Sequence, residues 1–235
     1  MDRAPYLNRE EAGGVLAADV VRALDRQPAV GKPLVLGLPR GGVPVALEVA
    51  RRLRAPLDVL TVRKLGLPGQ EELAMGAIAS GGVRVLNQDV LDLLRVPPEV
   101  VDRVAEDELR ELDRREAAYR GDRLRPELAG RCVILVDDGL ATGATMRAAV
   151  DAVRRAEPAE VIVAVPVAPR ETVVELRRSA DRVICPWTPE PFFGIGGWYV
   201  DFAQTSDAEV RAILDRAGDR VQVPPAGGDA RRLPG

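Results

Sequence analysis

Short apolar runs, many of them β-branched, alternate along this chain with stretches whose apolar residues recur at helical spacing. Residues 34–38, 57–62, 133–136, 160–165 and 182–184 read as strands, and most are apolar on both faces, as buried parallel strands are. Residues 9–27, 43–53, 146–155 and about 171–178 read as helices. In the first of these, Ala12, Leu16, Val20 and Leu24 share one face, and Asn8 stands where a cap is wanted. Residues 73–79 and 83–87 flank Gly81-Gly82 and read as a hairpin. Strands alternating with helices predict an α/β fold: a parallel sheet of about five strands, flanked by helices, with right-handed crossovers.

Two segments depart from this rhythm. Residues 98–119 are helical but crowded with charge, with Glu106/Arg110 and Glu111/Arg115 at i,i+4 and a sparse stripe of Val101, Val104, Leu109 and Leu112. They read as an inserted, solvated helix, with a subunit contact as the alternative. From Gly218 the chain is rich in Gly, Pro and Ala and reads as a disordered tail, leaving residues 1–217 as one domain.

Composition then narrows the chemistry. A chain of 235 residues, 46% hydrophobic and with a net charge of −3, suits one globular domain and argues against broad nucleic-acid binding. No apolar run approaches a membrane span, and Met1-Asp2-Arg3-Ala4-Pro5 is unlike a secretory leader, so the cytoplasm is the expected compartment. Cys132 and Cys185 read as buried thiols rather than a disulfide framework. Histidine is absent, so acid–base work falls to Asp, Glu, Lys or Tyr, and any metal would be a hard, oxygen-bound ion such as Mg²⁺.

The chemistry concentrates in one stretch. Val133-Ile134-Leu135-Val136 is followed by Asp137-Asp138-Gly139-Leu140-Ala141-Thr142-Gly143-Ala144-Thr145 and then by a helix. Paired carboxylates at the carboxyl end of a strand can accept hydroxyl hydrogen bonds. The Gly/Thr loop at a helix N-terminus presents free N–H groups to an anion. A sugar phosphate needs both. No Lys follows the glycine as in a Walker loop, and the dinucleotide Gly-x-Gly-x-x-Gly spacing is missing.

This stretch resembles the binding motif of type I phosphoribosyltransferases, which hold 5-phosphoribosyl-1-pyrophosphate (PRPP). The resemblance implies that Asp137 and Asp138 contact the ribose hydroxyls and that Ala141, Thr142, Gly143, Ala144 and Thr145 wrap the 5′-phosphate. It departs at Gly139, where the family usually has an apolar residue. Ala141 stands where many 6-oxopurine enzymes place an Asp, which leans away from those substrates. Pro39-Arg40-Gly41-Gly42 follows a strand as the family's pyrophosphate loop does, though Arg-Gly-Gly also makes a plain turn. Arg63-Lys64 and the glycines after it look similar to the family's mobile lid. Lys64 suits pyrophosphate as a point charge, or is a snorkelling strand-end lysine. By the same resemblance Glu71 or Glu72, Glu72 first, would move the acceptor's proton.

Residues 185–205 hold most of the aromatics of a chain that is only 3% aromatic. The resemblance implies a small hood over the acceptor, with Trp198 stacking on a planar ring and Asp201 reading its edge. A mini-core pinning the C-terminus is the competing reading. Taken together, the chain resembles a group of phosphoribosyltransferases of unassigned substrate. That implies phosphoribosyl transfer from Mg²⁺-PRPP to a base-like acceptor, with Mg²⁺ held mainly by PRPP and reached by Asp137 or Asp138 through water. A PRPP-binding regulator is the alternative. The family usually forms dimers, which brings a homodimer into view, while the residues themselves leave the oligomeric state open.

Overall fold

The computed structural model describes residues 5–121 and 123–221; of residues 71, 72 and 218–221 it describes the backbone alone. Five parallel strands form the central sheet: β1 (Pro33–Gly37), β2 (Leu57–Val59), β6 (Cys132–Val136), β7 (Glu160–Ala164) and β8 (Arg182–Ile184), in the order β2-β1-β6-β7-β8. Every residue of β6 and β7 is buried, which is why these runs carry no polar alternation. Helices α1 (Arg9–Arg26) and α2 (Gly42–Leu53) cover one face, where Leu16, Val20, Val45 and Val49 meet Ile134 and Ile162. Helices α5 (Ala144–Arg154) and α6 (Arg170–Leu176) cover the other, where Met146, Val150 and Leu176 meet Leu135 and Val163. Each such aliphatic side chain contributes about 1.5–3 kcal/mol through burial. The expected α/β architecture is present, and α1 begins as read, with the Asn8 side chain accepting from the Glu11 N–H.

The strand order decides where a ligand can sit. The chain runs outward from β1 to β2, then returns to β6 on the other side of β1 and continues to β7 and β8. The order therefore reverses between β1 and β6, and the loops leaving their carboxyl ends part to form a crevice.

A second, antiparallel sheet stands above this crevice: β3 (Val62–Leu67), β4 (Gln70–Ala79) and β5 (Val83–Leu86). The Gly81-Gly82 hairpin is as expected, but two expectations change. Residues 57–62 do not make one strand; the run breaks after β2, and Val62 already pairs with Ala79 in the second sheet. Gly66 and Pro68-Gly69 do not open a long loop either. They form the end of β3 and the turn into β4.

The charged segment is helix α4 (Pro98–Arg120), preceded by a short α3 (Gln88–Leu94) that the pattern did not announce. It is not simply solvated. Val101, Ala105 and Leu112 bury against Leu65, Met75 and Ile78 of the second sheet, making a core of their own. Of the two anticipated pairs, Glu111–Arg115 forms at 2.7 Å, whereas Arg110 pairs with Asp107 at 3.2 Å. Arg120 is buried, pairing with Glu116 at 3.1 Å and Asp58 at 3.0 Å, and this fastens α4 to β2. The last helix, α7 (Asp207–Val221), runs past the anticipated domain end at residue 217. The remainder of the expected tail, 222–235, lies outside the described residues. Among the described residues no helix is long and apolar enough to cross a membrane.

Candidate active site

Asp137 and Asp138 leave the carboxyl end of β6 at the point where the strand order reverses. The Asp138 N–H donates to Asp137 Oδ1 at 2.9 Å, and Arg9 Nε donates to Asp138 Oδ2 at 2.8 Å. Tyr199 donates its hydroxyl to the Asp138 carbonyl at 2.5 Å. Burial, then the neighbouring Asp138 charge, holds the Asp137 carboxyl well above its ordinary value. Burial also raises Asp138, and the bond from Arg9 pulls it back. The pair is a desolvated acidic centre with one fixed cation.

The loop from β1 lies directly against it. A Cβ on Gly41 would collide with Asp138 Oδ2, and one on Gly42 would stand 2.7 Å from the Val136 carbonyl. These glycines are therefore needed for close approach of loop to carboxylate, a reason beyond the freeing of N–H groups. Arg40 Nη1 stands 3.7 Å from Asp207 Oδ1, at the start of α7. Tyr119 donates its hydroxyl to the same carboxylate at 3.0 Å, and burial with that carboxylate pushes its phenol up to about 12.

Residues 141–145 turn into α5, with most of their side chains exposed and the helix N-terminus open beside them. Gly143 is left-handed (φ 70°), and a Cβ there would meet Thr172 Cγ2 at 2.7 Å. The loop is braced from behind. Thr172 donates to the Ala141 carbonyl at 2.7 Å, and Arg147 donates to the Thr142 carbonyl at 2.8 Å while pairing with Glu175. Thr172 and Arg147 carried no sequence signal, because their partners are backbone carbonyls.

Two cavities open between these loops and the second sheet. One of 340 Å³ is lined by Arg9, Arg40, Gly41, Thr61 and Tyr119 among others. One of 610 Å³ is lined by Arg63, Lys64, Pro68, Asp107 and Glu108 among others. Val62, Arg115 and Thr145 stand in the walls of both. The arrangement suits a polyanion with a hydroxylated centre.

Residues 7–197 match the model of the phosphoribosyl transferase domain. The chain belongs to the phosphoribosyl transferase family. It is 52% identical over 184 residues to two proteins of Mycobacterium tuberculosis, of strains CDC 1551 and H37Rv, that carry a provisional phosphoribosyl transferase name. The match covers 78% of this chain and 42% of each relative, so the chain spans under half the length of those relatives. The crystal structure of TT1426 from Thermus thermophilus superposes with a TM-score of 0.79 at 43% identity, covering 89% of this chain and 97% of that one.

One departure from the usual phosphoribosyltransferase pattern has a steric counterpart: a Cβ at Gly139 would stand 2.7 Å from Ile195 Cγ2. Arg63 of β3 donates to Glu108 of α4 at 2.5 Å, while Lys64 lines the larger cavity. Glu71 and Glu72 lie on β4, and their side chains are outside the described residues.

The aromatic segment packs largely on itself. Trp198 belongs to a small core, 4.6 Å from Trp187 edge-on and 6.1 Å from Phe192 stacked, centre to centre. Tyr6, Tyr199 and Ala12 complete this core. Asp201 accepts from its own turn, the Ala203 N–H at 3.0 Å. Trp198 sits in that core and Asp201 is exposed; neither lines the two cavities, and of the acidic pair and residues 141–145 only Thr145 does.

Arg9, Tyr119 and Asp207 were not singled out in the sequence, and Arg115 was read only as half of a helix ion pair. Arg9 did leave a trace: a cation in the first turn of a helix opposes the macrodipole and calls for an external partner.

Proposed function

We propose that this chain moves a 5-phosphoribosyl group from PRPP, carried with Mg²⁺, to a nitrogen of a base-like acceptor, releasing pyrophosphate. The observation that carries the reading is the juxtaposition of Asp138 with Gly41, which sets the acidic pair against the 39–42 loop at the point where the strand order reverses; in this reading they seat the ribose and the pyrophosphate, and residues 141–145 take the 5′-phosphate. The bond from ribose C1 to the pyrophosphate oxygen breaks, the electron pair leaves with pyrophosphate, and the C1–nitrogen bond forms. The acceptor's proton passes to a carboxylate of β4, Glu71 or Glu72, or to solvent. Asp137 and Asp138 hold the ribose hydroxyls and lend negative charge near the developing oxocarbenium centre, while Arg40 and Lys64 face the departing pyrophosphate.

Among the described residues no three acidic or thiol side chains cluster for a metal, and this reading assigns Asp137 and Asp138 as its donors. These suit an ion held mainly by PRPP oxygens and reached through water. Mg²⁺ there supplies charge neutralisation of the leaving group. We read the compartment as the cytoplasm, supported by the free thiols of Cys132 and Cys185, and a homodimer on the family's habit alone.

A second reading is a PRPP-binding regulator without transfer. It draws support from the hood, whose aromatics other than the exposed Phe193 pack on one another rather than form a platform for a base. Pyrophosphate release from Mg²⁺-PRPP across a panel of purine and pyrimidine bases decides between them, with Asp137→Asn/Asp138→Asn as the blank. Base-dependent release absent from the blank supports transfer. Silence across the panel, with PRPP still raising the melting temperature, supports the regulator.

A further inference from the structure

We infer that Arg115, on the inserted helix α4, is a binding residue for the pyrophosphate group, supplied from outside the α/β core. The inference rests on the reading that the two cavities receive PRPP.

Its position comes first. Arg115 stands with Val62 and Thr145 in the wall common to both cavities. A phosphorylated ligand reaching from Arg40 in one towards Lys64 in the other must pass its guanidinium. The lid segment would ordinarily offer Arg63 as a second cation beside Lys64. Here Arg63 Nε is held at 2.5 Å by Glu108, from the same helix that carries Arg115. Helix α4 thus occupies one cation of the lid and presents another.

The charge around Arg115 supports the role. Glu111 accepts from Arg115 Nε at 2.7 Å and also from Arg114, at 2.8 and 2.9 Å. One carboxylate serving two guanidiniums leaves the group with a net positive charge. The bonds from Arg114, then that from Arg115, hold the Glu111 carboxyl down at about 2, so it stays ionised and keeps Arg115 oriented. Because Glu111 is met through Nε, the outer edge of the guanidinium is left to donate to an oxyanion as a fork. The other acids at the larger cavity are matched, Glu108 by Arg63 and Asp107 by Arg110.

The test is calorimetric titration of the full chain with inorganic pyrophosphate, PRPP and ribose 5-phosphate, each with Mg²⁺. Arg115→Gln should weaken pyrophosphate and PRPP by roughly tenfold or more. It should leave ribose 5-phosphate within about twofold, because that ligand is held by the 141–145 loop. Arg115→Lys, which keeps the charge but loses the fork, should recover part of the loss and serves if the Gln variant does not fold. Arg114→Gln, which shares Glu111 but lines neither cavity, should stay within about twofold for all three ligands. Equal losses for pyrophosphate and ribose 5-phosphate, or native pyrophosphate binding in Arg115→Gln, would overturn the assignment. A native chain that binds ribose 5-phosphate but neither pyrophosphate nor PRPP would overturn the transferase reading along with it.

Discussion

Arg9 and Asp138 stand 129 positions apart in the chain and meet through a single 2.8 Å hydrogen bond at the mouth of the crevice. The guanidinium also lies 4.0 Å over the Phe202 ring and donates to the Ala203 carbonyl at 2.6 Å. One side chain thus joins the first helix, the acidic loop and the C-terminal hood. Both partners are largely shielded, at 12% side-chain exposure each, so the bond acts in a medium less screened than water.

Arg9→Gln should therefore cost about 3 kcal/mol, the loss that follows when one member of a shielded ion pair is left alone. Denaturant unfolding of the two proteins measures it. The deficit should be larger at pH 8 than at pH 5, because the stranded Asp138 carboxylate is then fully ionised. A loss independent of pH would mean that Arg9 acts through packing on Phe202.

Asp137→Asn should raise the melting temperature at neutral pH. The folded Asp137 carboxyl titrates above its ordinary value near 3.8, so between the two values the folded state binds more protons than the unfolded one. Stability tied to this group is therefore complete below the unfolded pKa and is lost as pH rises through the folded one. Asn keeps an oxygen for the Asp138 N–H and carries no charge. Melting curves from pH 4 to 8 should show the variant's advantage growing with pH; a constant offset would contradict the assignment.

Asp138→Asn should cut transferase turnover on the order of 10²–10³, the usual loss of one preorganised charge at a reacting centre. Steady-state rates with the acceptor found in the panel measure it. Near-native turnover would remove Asp138 from the mechanism.

Gly41→Ala forces a methyl group onto Asp138 Oδ2, so either the 39–42 loop or the carboxylate must move. The expected cost is about 1–3 kcal/mol of stability together with weakened PRPP binding. A crystal structure of the variant would show which group yields, and unaltered PRPP affinity would mean that the two loops do not need their contact.

Trp198→Ala should behave as a packing variant. Its ring contacts Trp187 and Phe192, is only partly buried and lines neither cavity, so it should lose about 2–3 kcal/mol of stability, at or below the range for a fully buried Trp, while leaving the acceptor KM within about threefold. An acceptor KM raised well beyond that, with stability unchanged, would restore the stacking role.

What the chain determines by itself is local. The burial of β6 and β7 is written as the apolar, largely β-branched runs 133–136 and 161–164, the cap of α1 as Asn8, and the acidic pair and the 141–145 loop as neighbouring residues whose spacing alone brings them together. Such features depend on neighbours a few positions away, so a period or a motif carries them. The tertiary structure decided everything that depends on distant partners. It turned the salt-rich α4 into one wall of a second core, because the faces of β3 and β4 needed covering. It packed the aromatic segment around Tyr6, whose contribution 181 positions before Trp187 no local pattern records. It also brought Arg9 and Arg115 to the crevice: a long cationic side chain finds its carboxylate or cavity only after the helices carrying it have docked.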